Sequence, residues 1–186
     1  MTVARVNRIF DYEDQVVQLN GWVYNSRRSG RIGFLLLRDG FGLIQCIVAK
    51  NDVGENIFNV FKSLTQESSI SVNGKVVKNE RAPGGFELVL IDLTLHQLSS
   101  EYPITPKQHG TDFLMNNRHL WLRSKRQHAI LRVRHEIIKA VRDFFDSNDF
   151  TLCDSPIFTP NAAEGTSTLF GTDYFGNTAY LAQTGQ

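Results

Sequence analysis

One long amphipathic helix is the feature of this sequence that most constrains the fold. Ser124 and Gln127 have the S-x-x-Q spacing of a capping box, which marks the start of a helix. Apolar residues then recur at steps of three and four: Ile130, Val133, Ile137, Val141 and Phe144. Ser-Asn-Asp at 147–149 is a stop signal, and a short strand is predicted at 150–153 before Pro156. Such a wide apolar stripe needs a large surface to pack against.

The first half of the sequence alternates apolar and polar residues, which is typical of β-strands. Strands are predicted over 15–25, 31–38, 42–49, 70–78 and 86–98. Between the third and fourth strands, apolar residues have helical spacing from 54 to 66. Three strands, a helix and two strands is the element order of the OB-fold, a small barrel that binds oligonucleotides on one face. The sequence therefore predicts an all-β OB-fold barrel over residues 1–100.

The rest of the chain is predicted to form a linker and a second, α+β domain. Pro103, Pro106 and Gly110 interrupt both periods, so 101–117 is predicted to be a hinge or linker. The second domain is expected over 118–186, beginning with the long helix. Near its end, 173–175 and 179–182 are predicted to be strands joined by a hairpin turn at 176–177.

Composition excludes several classes of protein. The formal charge of +1 argues against a strongly basic nucleic-acid coat. The first residues lack the apolar core of a signal peptide, and no apolar run reaches membrane-spanning length. We therefore expect a cytoplasmic protein with no membrane partner. Cys46 and Cys153 lie far apart in apolar runs, so free thiols are expected rather than a disulfide or a metal site.

Three stretches carry a resemblance to a known family. The helix, turn and proline of His119–Pro160 resemble motif 1 of the class II aminoacyl-tRNA synthetases, which builds a dimer interface from a long helix and a strand ending in proline. Within that class, the Arg118–Arg123 and Glu164–Phe170 stretches resemble the asparaginyl-tRNA synthetases of the aspartate and asparagine group. The resemblance covers essentially the whole chain but less than half of the family's enzyme.

The resemblance implies a homodimeric enzyme that activates L-asparagine with ATP and Mg²⁺ and transfers it to tRNA(Asn). The main ATP and Mg²⁺ ligands of the family lie in motifs 2 and 3, which have no counterpart in this sequence. We therefore expect no catalytic residue and no metal ligand here, and no adenylate formation by this chain alone. Two alternatives stay open: an aspartyl-tRNA synthetase that charges one or both tRNAs, and a non-catalytic OB-fold protein that binds tRNA or single strands.

The resemblance also implies an anticodon-binding set on the barrel. Phe34 is expected to stack on a base, Gln45 to hydrogen-bond a base edge, Arg27 to hold phosphate or base, and Glu87 to accept from a base amino group. From the residues alone, Phe34 fits the core almost as well. Arg27 fits a solvated loop, and Glu87 fits an ordinary strand-edge carboxylate.

The second domain is expected to hold the amino acid. Glu164 would bind its ammonium group, and the adjacent glycine would let the loop approach the ligand closely. The remaining implied pocket residues are Thr166, Ser167, Gln183 and Gln186. Ile137, Val141 and Pro156 are expected in the dimer interface. On spacing alone, Glu164 is as well explained as a loop carboxylate, and the two glutamines as a frayed terminus.

Overall fold

The computed structural model describes residues 2–105, 107–161 and 169–185. The chain forms two compact units, Met1–His109 and Gly110–Gln186.

A closed five-stranded barrel makes up the first unit. Its elements are β1 (Val16–Ser29), β2 (Ile32–Arg38), β3 (Leu43–Ala49), α1 (Lys50–Ser63), β4 (Ser69–Lys78) and β5 (Phe86–Gln97), with 3₁₀ turns at Val6–Tyr12 and Pro83–Gly85. The strand order around the barrel is β1-β2-β3-β5-β4, and β4 closes it by pairing with β1. All pairs are antiparallel except β3 with β5. This confirms the predicted OB-fold.

Strand alternation builds the barrel core. Buried residues alternate with more exposed ones along most of each strand, and α1 adds two aromatic rings. The buried strand residues include Val17, Leu19, Val23, Leu35, Leu37, Ile44, Cys46, Val48, Ile70, Val72, Val76, Leu88 and Leu90. Phe58 and Phe61 of α1 pack on them with ring centroids 5.7 Å apart. Gly54 interrupts α1 at φ +80°, a value glycine adopts readily, which explains why the helical spacing begins only after it.

Helices and a small sheet form the second unit. They are α2 (Thr111–Asn116), α3 (Arg118–Trp121), α4 (Lys125–Asp146), β6 (Phe158–Thr159), β7 (Gly171–Tyr174) and β8 (Asn177–Leu181). The sheet order is β6-β8-β7, with antiparallel pairs. The backbone N–H of Gln127 donates to Ser124 Oγ at 3.5 Å, so the predicted cap and helix are both present.

Two local predictions for the first unit and the linker need correction. β1 runs to Ser29 rather than 25, because pairing with β2 continues where the sequence has no apolar alternation. Thr111–Asn116, predicted as linker, is helical, with Leu114 N donating to Gly110 O at 3.1 Å.

Two predictions for the second unit were also inaccurate. Residues 150–153 do not form a strand, and Phe150 instead packs edge-on against Phe145 of α4 with ring centroids 5.4 Å apart. The hairpin turn lies at Phe175-Gly176 rather than 176–177. Both residues have positive φ, +51° and +79°, as a type I′ turn requires, and Asn177 pairs with Tyr174 in the sheet.

Candidate nucleic-acid interface

The outer surface of β2, β3 and β5 carries two adjacent rows of cross-strand partners. The first row is Arg27, Phe34, Ile47, Val89 and Lys75, each paired with the next across neighbouring strands. The second row is Leu36, Gln45 and Glu87. We call these eight residues the β2–β3–β5 face. The four residues expected to bind an anticodon therefore lie on one face, each on a different strand.

Phe34 lies outside the core. Leu35 and Leu37 of β2 are fully buried, which places Phe34 and Leu36 on the opposite, half-buried side of the strand. The guanidinium carbon of Arg27 lies 4.5 Å from the centroid of the Phe34 ring, as in a cation–π contact. Arg27 is exposed and belongs to β1, not to a loop. The pair offers an aromatic surface beside a cation, which is the chemistry that stacks a base and neutralises its phosphate.

Gln45 and Glu87 form a polar centre on the otherwise apolar face. Gln45 Nε2 donates to Glu87 Oε2 at 3.4 Å, and Asn79 Nδ2 donates to the same oxygen at 3.0 Å. All three side chains are half-buried. Leu36, Ile47 and Val89 surround them, so a ligand that covers this face would exclude water from the polar groups and strengthen their hydrogen bonds.

Asn79 is the residue of this centre that sequence analysis missed. It directly follows β4 and starts the turn that leads to β5. Its contact with Glu87 spans eight residues and follows no period. The one available signal was an asparagine at the start of a turn rich in proline and glycine, which predicts a turn but not a ligand contact.

Cations lie at both ends of the first row. Arg27 is at the β1 end, and Lys75 of β4, also exposed, is at the other, where it forms a 2.9 Å ion pair with Asp14. Exposed Arg28 and Arg31 flank the β1–β2 turn. Such an arrangement can follow a sugar-phosphate backbone while the apolar centre contacts bases.

Of the five residues implied to hold an amino acid, the structure describes one. Glu164, Thr166, Ser167 and Gln186 lie outside the described residues. Gln183 is exposed and follows β8. The segment around it is tied to the chain near Pro156, because Ala182 N donates to Ile157 O at 2.9 Å and Ser155 Oγ donates to Gly185 O at 3.2 Å.

The stripe on α4 opens onto an apolar groove. Ile137 and Val141, predicted at a dimer interface, are 59% and 51% exposed. Together with the 150–153 segment they line the groove, whose apolar residues also include Ile138, Phe145, Phe150 and Leu152. Pro156 lies past the groove, two residues before β6.

Among residues 2–105, 107–161 and 169–185, no group of three His, Cys, Asp or Glu side chains could hold a metal ion. Within those same ranges, no helix has the length and apolar character needed to cross a membrane.

The two units match two different family models. Residues 17–95 match the OB-fold nucleic acid binding domain, and residues 110–186 match the tRNA synthetases class II (D, K and N). The chain thus combines a unit that is similar to nucleic-acid-binding OB-fold domains with a unit that is similar to the class II tRNA synthetases of the D, K and N group.

Within that group, the similarity is to the asparagine–tRNA ligases. The Sorangium cellulosum asparagine–tRNA ligase is 60% identical over 171 residues, which is 91% of this chain and 38% of that protein. The Symbiobacterium thermophilum asparagine–tRNA ligase is 52% identical over 187 residues, covering 100% of this chain and 43% of that protein. The chain thus spans about two fifths of the length of these curated relatives.

Solved structures of asparaginyl- and aspartyl-type synthetases are similar to this chain along most of its length. The asparaginyl-tRNA synthetase from Pyrococcus horikoshii, complexed with asparaginyl-adenylate, superposes with a TM-score of 0.86 at 40% identity, over 94% of this chain and 41% of that one. A putative aspartyl-tRNA synthetase from Leishmania major superposes with a TM-score of 0.84 at 25% identity, over 98% of this chain and 38% of that one.

Proposed function

We propose that this chain acts as part of an asparagine–tRNA ligase. The whole enzyme would activate L-asparagine with ATP to an adenylate and transfer the amino acid to tRNA(Asn). This proposal is supported by identities of 49% to 60% with asparagine–tRNA ligases and by the likeness to a synthetase with bound asparaginyl-adenylate. An aspartyl-tRNA synthetase is less well supported, because the aspartyl-type structure is 25% identical, whereas the Pyrococcus horikoshii asparaginyl-tRNA synthetase is 40% identical and the asparagine–tRNA ligases reach 60%.

The observation that carries the proposal is the β2–β3–β5 face, and we propose that it binds the anticodon. Phe34 would stack on a base, with Arg27 shifting from the ring to a phosphate. Gln45 and Glu87 would hydrogen-bond the edges of unstacked bases. The lysine and arginines at the ends of the face would hold the backbone without selecting sequence.

In the second unit we propose an amino-acid pocket. Gln183 and Gln186 would hydrogen-bond the α-amino and carboxylate groups of asparagine. Glu164 would pair with the positive charge of the same α-amino group, which is an ammonium ion at neutral pH. Thr166 and Ser167 would be additional hydrogen-bond donors. The chain's own task there is to bind and orient asparagine against the α-phosphate of ATP. ATP is a substrate of the whole enzyme. The whole enzyme would use ATP together with Mg²⁺.

We further propose that the enzyme is a homodimer in the cytoplasm, where tRNA is charged. Ile137, Val141 and Pro156 would lie in the dimer interface. The exposed stripe of α4 supports this, since contiguous apolar surface of that kind is normally covered in an assembly.

The test is binding of the 186-residue chain to a panel of anticodon stem-loops, measured by fluorescence anisotropy. We expect the tightest binding to the asparagine stem-loop. Phe34→Ala should weaken it by about 1–3 kcal/mol, the value of one stacked base. Phe41→Ala is a matched control, because Phe41 is 53% exposed with Arg5 4.8 Å from its ring, yet lies off the β2–β3–β5 face.

Each alternative function predicts a different pattern of stem-loop affinities. Preference for the aspartate stem-loop would favour an aspartyl enzyme. Equal, weak and salt-dependent binding to every loop would indicate a generic single-strand binder. Equal losses of stem-loop affinity in Phe34→Ala and Phe41→Ala would contradict the proposal that the β2–β3–β5 face is the binding site.

A further inference from the structure

Two hydroxyl groups hold the chain where it leaves the barrel. β5 ends at Gln97, whose strand partner is Ser69, and Ser99 lies beyond the end of the sheet. There the backbone N–H of Ser99 donates to Ser68 Oγ at 3.2 Å, and the carbonyl of Ser99 accepts from Thr65 Oγ1 at 2.7 Å. Side chains of the loop between α1 and β4 thus take the place of a neighbouring strand at this point. We call Thr65, Ser68 and Ser99 the linker clamp.

The direction of each hydrogen bond in the linker clamp follows from what its groups can donate. A carbonyl oxygen only accepts, so the one proton of the Thr65 hydroxyl goes to Ser99 O. The 2.9 Å contact between the Thr65 and Ser68 hydroxyls therefore uses the proton of Ser68. Ser68 Oγ in turn accepts from the backbone N–H groups of Thr65 at 3.3 Å and Ser99 at 3.2 Å. The one donor and both acceptor sites of the Ser68 hydroxyl are therefore used.

Burial makes the hydroxyl at position 68 hard to replace. Ser68 is 0% exposed, so removal of its oxygen would leave two backbone N–H groups without their acceptor. The same loop makes a further contact along the linker, because Gln66 Nε2 donates to the carbonyl of half-buried Ile104 at 3.4 Å. The start of the linker is thus tied to the first unit both at Ser99 and at Ile104.

We propose that Thr65 and Ser68 are positioning residues for tRNA charging, an inference that rests on the ligase function proposed above. Transfer of the amino acid requires the barrel and the synthetase unit to engage the same tRNA at once. The linker clamp fixes the path on which the chain leaves the barrel. Loss of the clamp leaves the binding surface of each unit intact but makes simultaneous engagement rarer. Adenylate formation does not involve the barrel and does not depend on the clamp.

Thr65→Val tests the clamp with the least disturbance. Thr65 is exposed, valine has nearly the same shape, and the change removes the hydroxyl that donates to Ser99 O. Thr65→Ser keeps the hydroxyl and is the conservative variant that should retain wild-type behaviour. Thr94→Val makes the same exchange at an exposed position of β5 and is the matched control. Ser68→Ala is a second variant that breaks the same cluster from its buried side.

The first measurement is amide hydrogen exchange in the 186-residue chain, followed by NMR. The Ser99 amide should exchange about three- to tenfold faster in Thr65→Val and in Ser68→Ala, which is the effect of losing one net hydrogen bond. Affinity for the asparagine stem-loop should not change in Thr65→Val, because Thr65 lies outside the β2–β3–β5 face.

The second measurement is kinetics of the whole enzyme that carries each variant. Thr65→Val should lower kcat for charging of tRNA(Asn) by about fivefold or more, with KM for tRNA within about twofold of the wild type. Pyrophosphate exchange, which reports adenylate formation, should be unchanged. Thr65→Ser and Thr94→Val should match the wild type in every assay.

The outcomes separate this inference from the proposed function. If pyrophosphate exchange or stem-loop affinity falls together with charging in Thr65→Val, the hydroxyl only stabilises the fold and the inference is wrong. The inference also fails if exchange of the Ser99 amide is unchanged, or if it accelerates while charging stays at the wild-type rate; in both cases the ligase function stands. If the wild-type enzyme does not charge tRNA(Asn), the proposed function fails and the inference fails with it.

Discussion

Gly33 sets how closely α1 can seal the barrel beneath the β2–β3–β5 face. A Cβ placed on Gly33 would lie 2.3 Å from Cε1 and 2.5 Å from Cζ of Phe61, so the ring would have to move by more than an ångström. Phe61 is only 3% exposed and packs against Phe58, which leaves it little room. Overpacking of this kind costs about 1–3 kcal/mol. Alanine also reduces the conformational entropy of the unfolded chain relative to glycine, which offsets about 0.4–1 kcal/mol of this cost.

We therefore expect Gly33→Ala to lower the free energy of unfolding by about 1–2 kcal/mol. Urea denaturation followed by circular dichroism measures it, and the melting temperature should fall by about 4–8 °C for each kcal/mol. Gly40→Ala is the matched control, because its Cβ meets nothing within 4 Å and its backbone is not in the left-handed region. That change should stay within about 0.5 kcal/mol of the wild type.

A double variant tests whether the contact with the Phe61 ring causes the predicted loss of stability in Gly33→Ala. Phe61→Leu removes the outer ring atoms that a Gly33 Cβ would meet, so Gly33→Ala should cost little or nothing in that background. The coupling energy should be about 1–2 kcal/mol. If Gly33→Ala costs the same with Phe61 and with leucine, the ring contact is not the cause. Stem-loop affinity of the folded protein should not change, since Phe34 lies on the opposite side of the strand.

Two further predictions concern buried groups. Burial raises the pKa of the Cys46 thiol to about 12 from an ordinary 9.0, so stability is lost as pH rises above 9. Between pH 7 and pH 10, urea denaturation should show wild type losing about 1.4 kcal/mol more than Cys46→Ala, and equal losses would contradict the burial argument. Glu67→Gln should cost about 1–3 kcal/mol, because Arg38, only 16% exposed, loses the anion 2.6 Å away. Asp11→Asn, at an exposed pair with Arg8, should cost clearly less than Glu67→Gln in the same assay. Equal costs for the two variants would contradict the argument that burial makes the Arg38–Glu67 pair matter more.

The sequence predicted the barrel well because each strand segment carries its own period. Every predicted strand of the first half is present, and the helix falls between the third and fourth. The polar end of β1 was missed because residues 25–29 are polar on both sides, and only pairing with β2 shows that they are a strand. The strand predicted at 150–153 was wrong for the opposite reason. This segment is apolar enough for a strand, but Phe150 contacts α4 instead of a neighbouring strand.

For the candidate site, the residue types could be predicted but not their orientation. Residues 34–37 are all apolar, so alternation could not decide whether Phe34 or Leu35 points inward. The cross-strand register decides it, and register depends on contacts far apart in sequence. Asn79 could not be found at all, because a hydrogen bond from a turn to the middle of a strand leaves no periodic trace.

In the anticodon-binding role proposed above, the arrangement of the β2–β3–β5 face would separate affinity from selectivity. Its cations lie at the ends of the first row and in the neighbouring turn, where they can contact phosphates that every single strand carries. Its one carboxylate and one amide lie at the centre, among apolar residues that exclude water. The two sides of each strand likewise separate recognition from folding: Leu35 stabilises the barrel, while Phe34, the next residue, is available to a ligand.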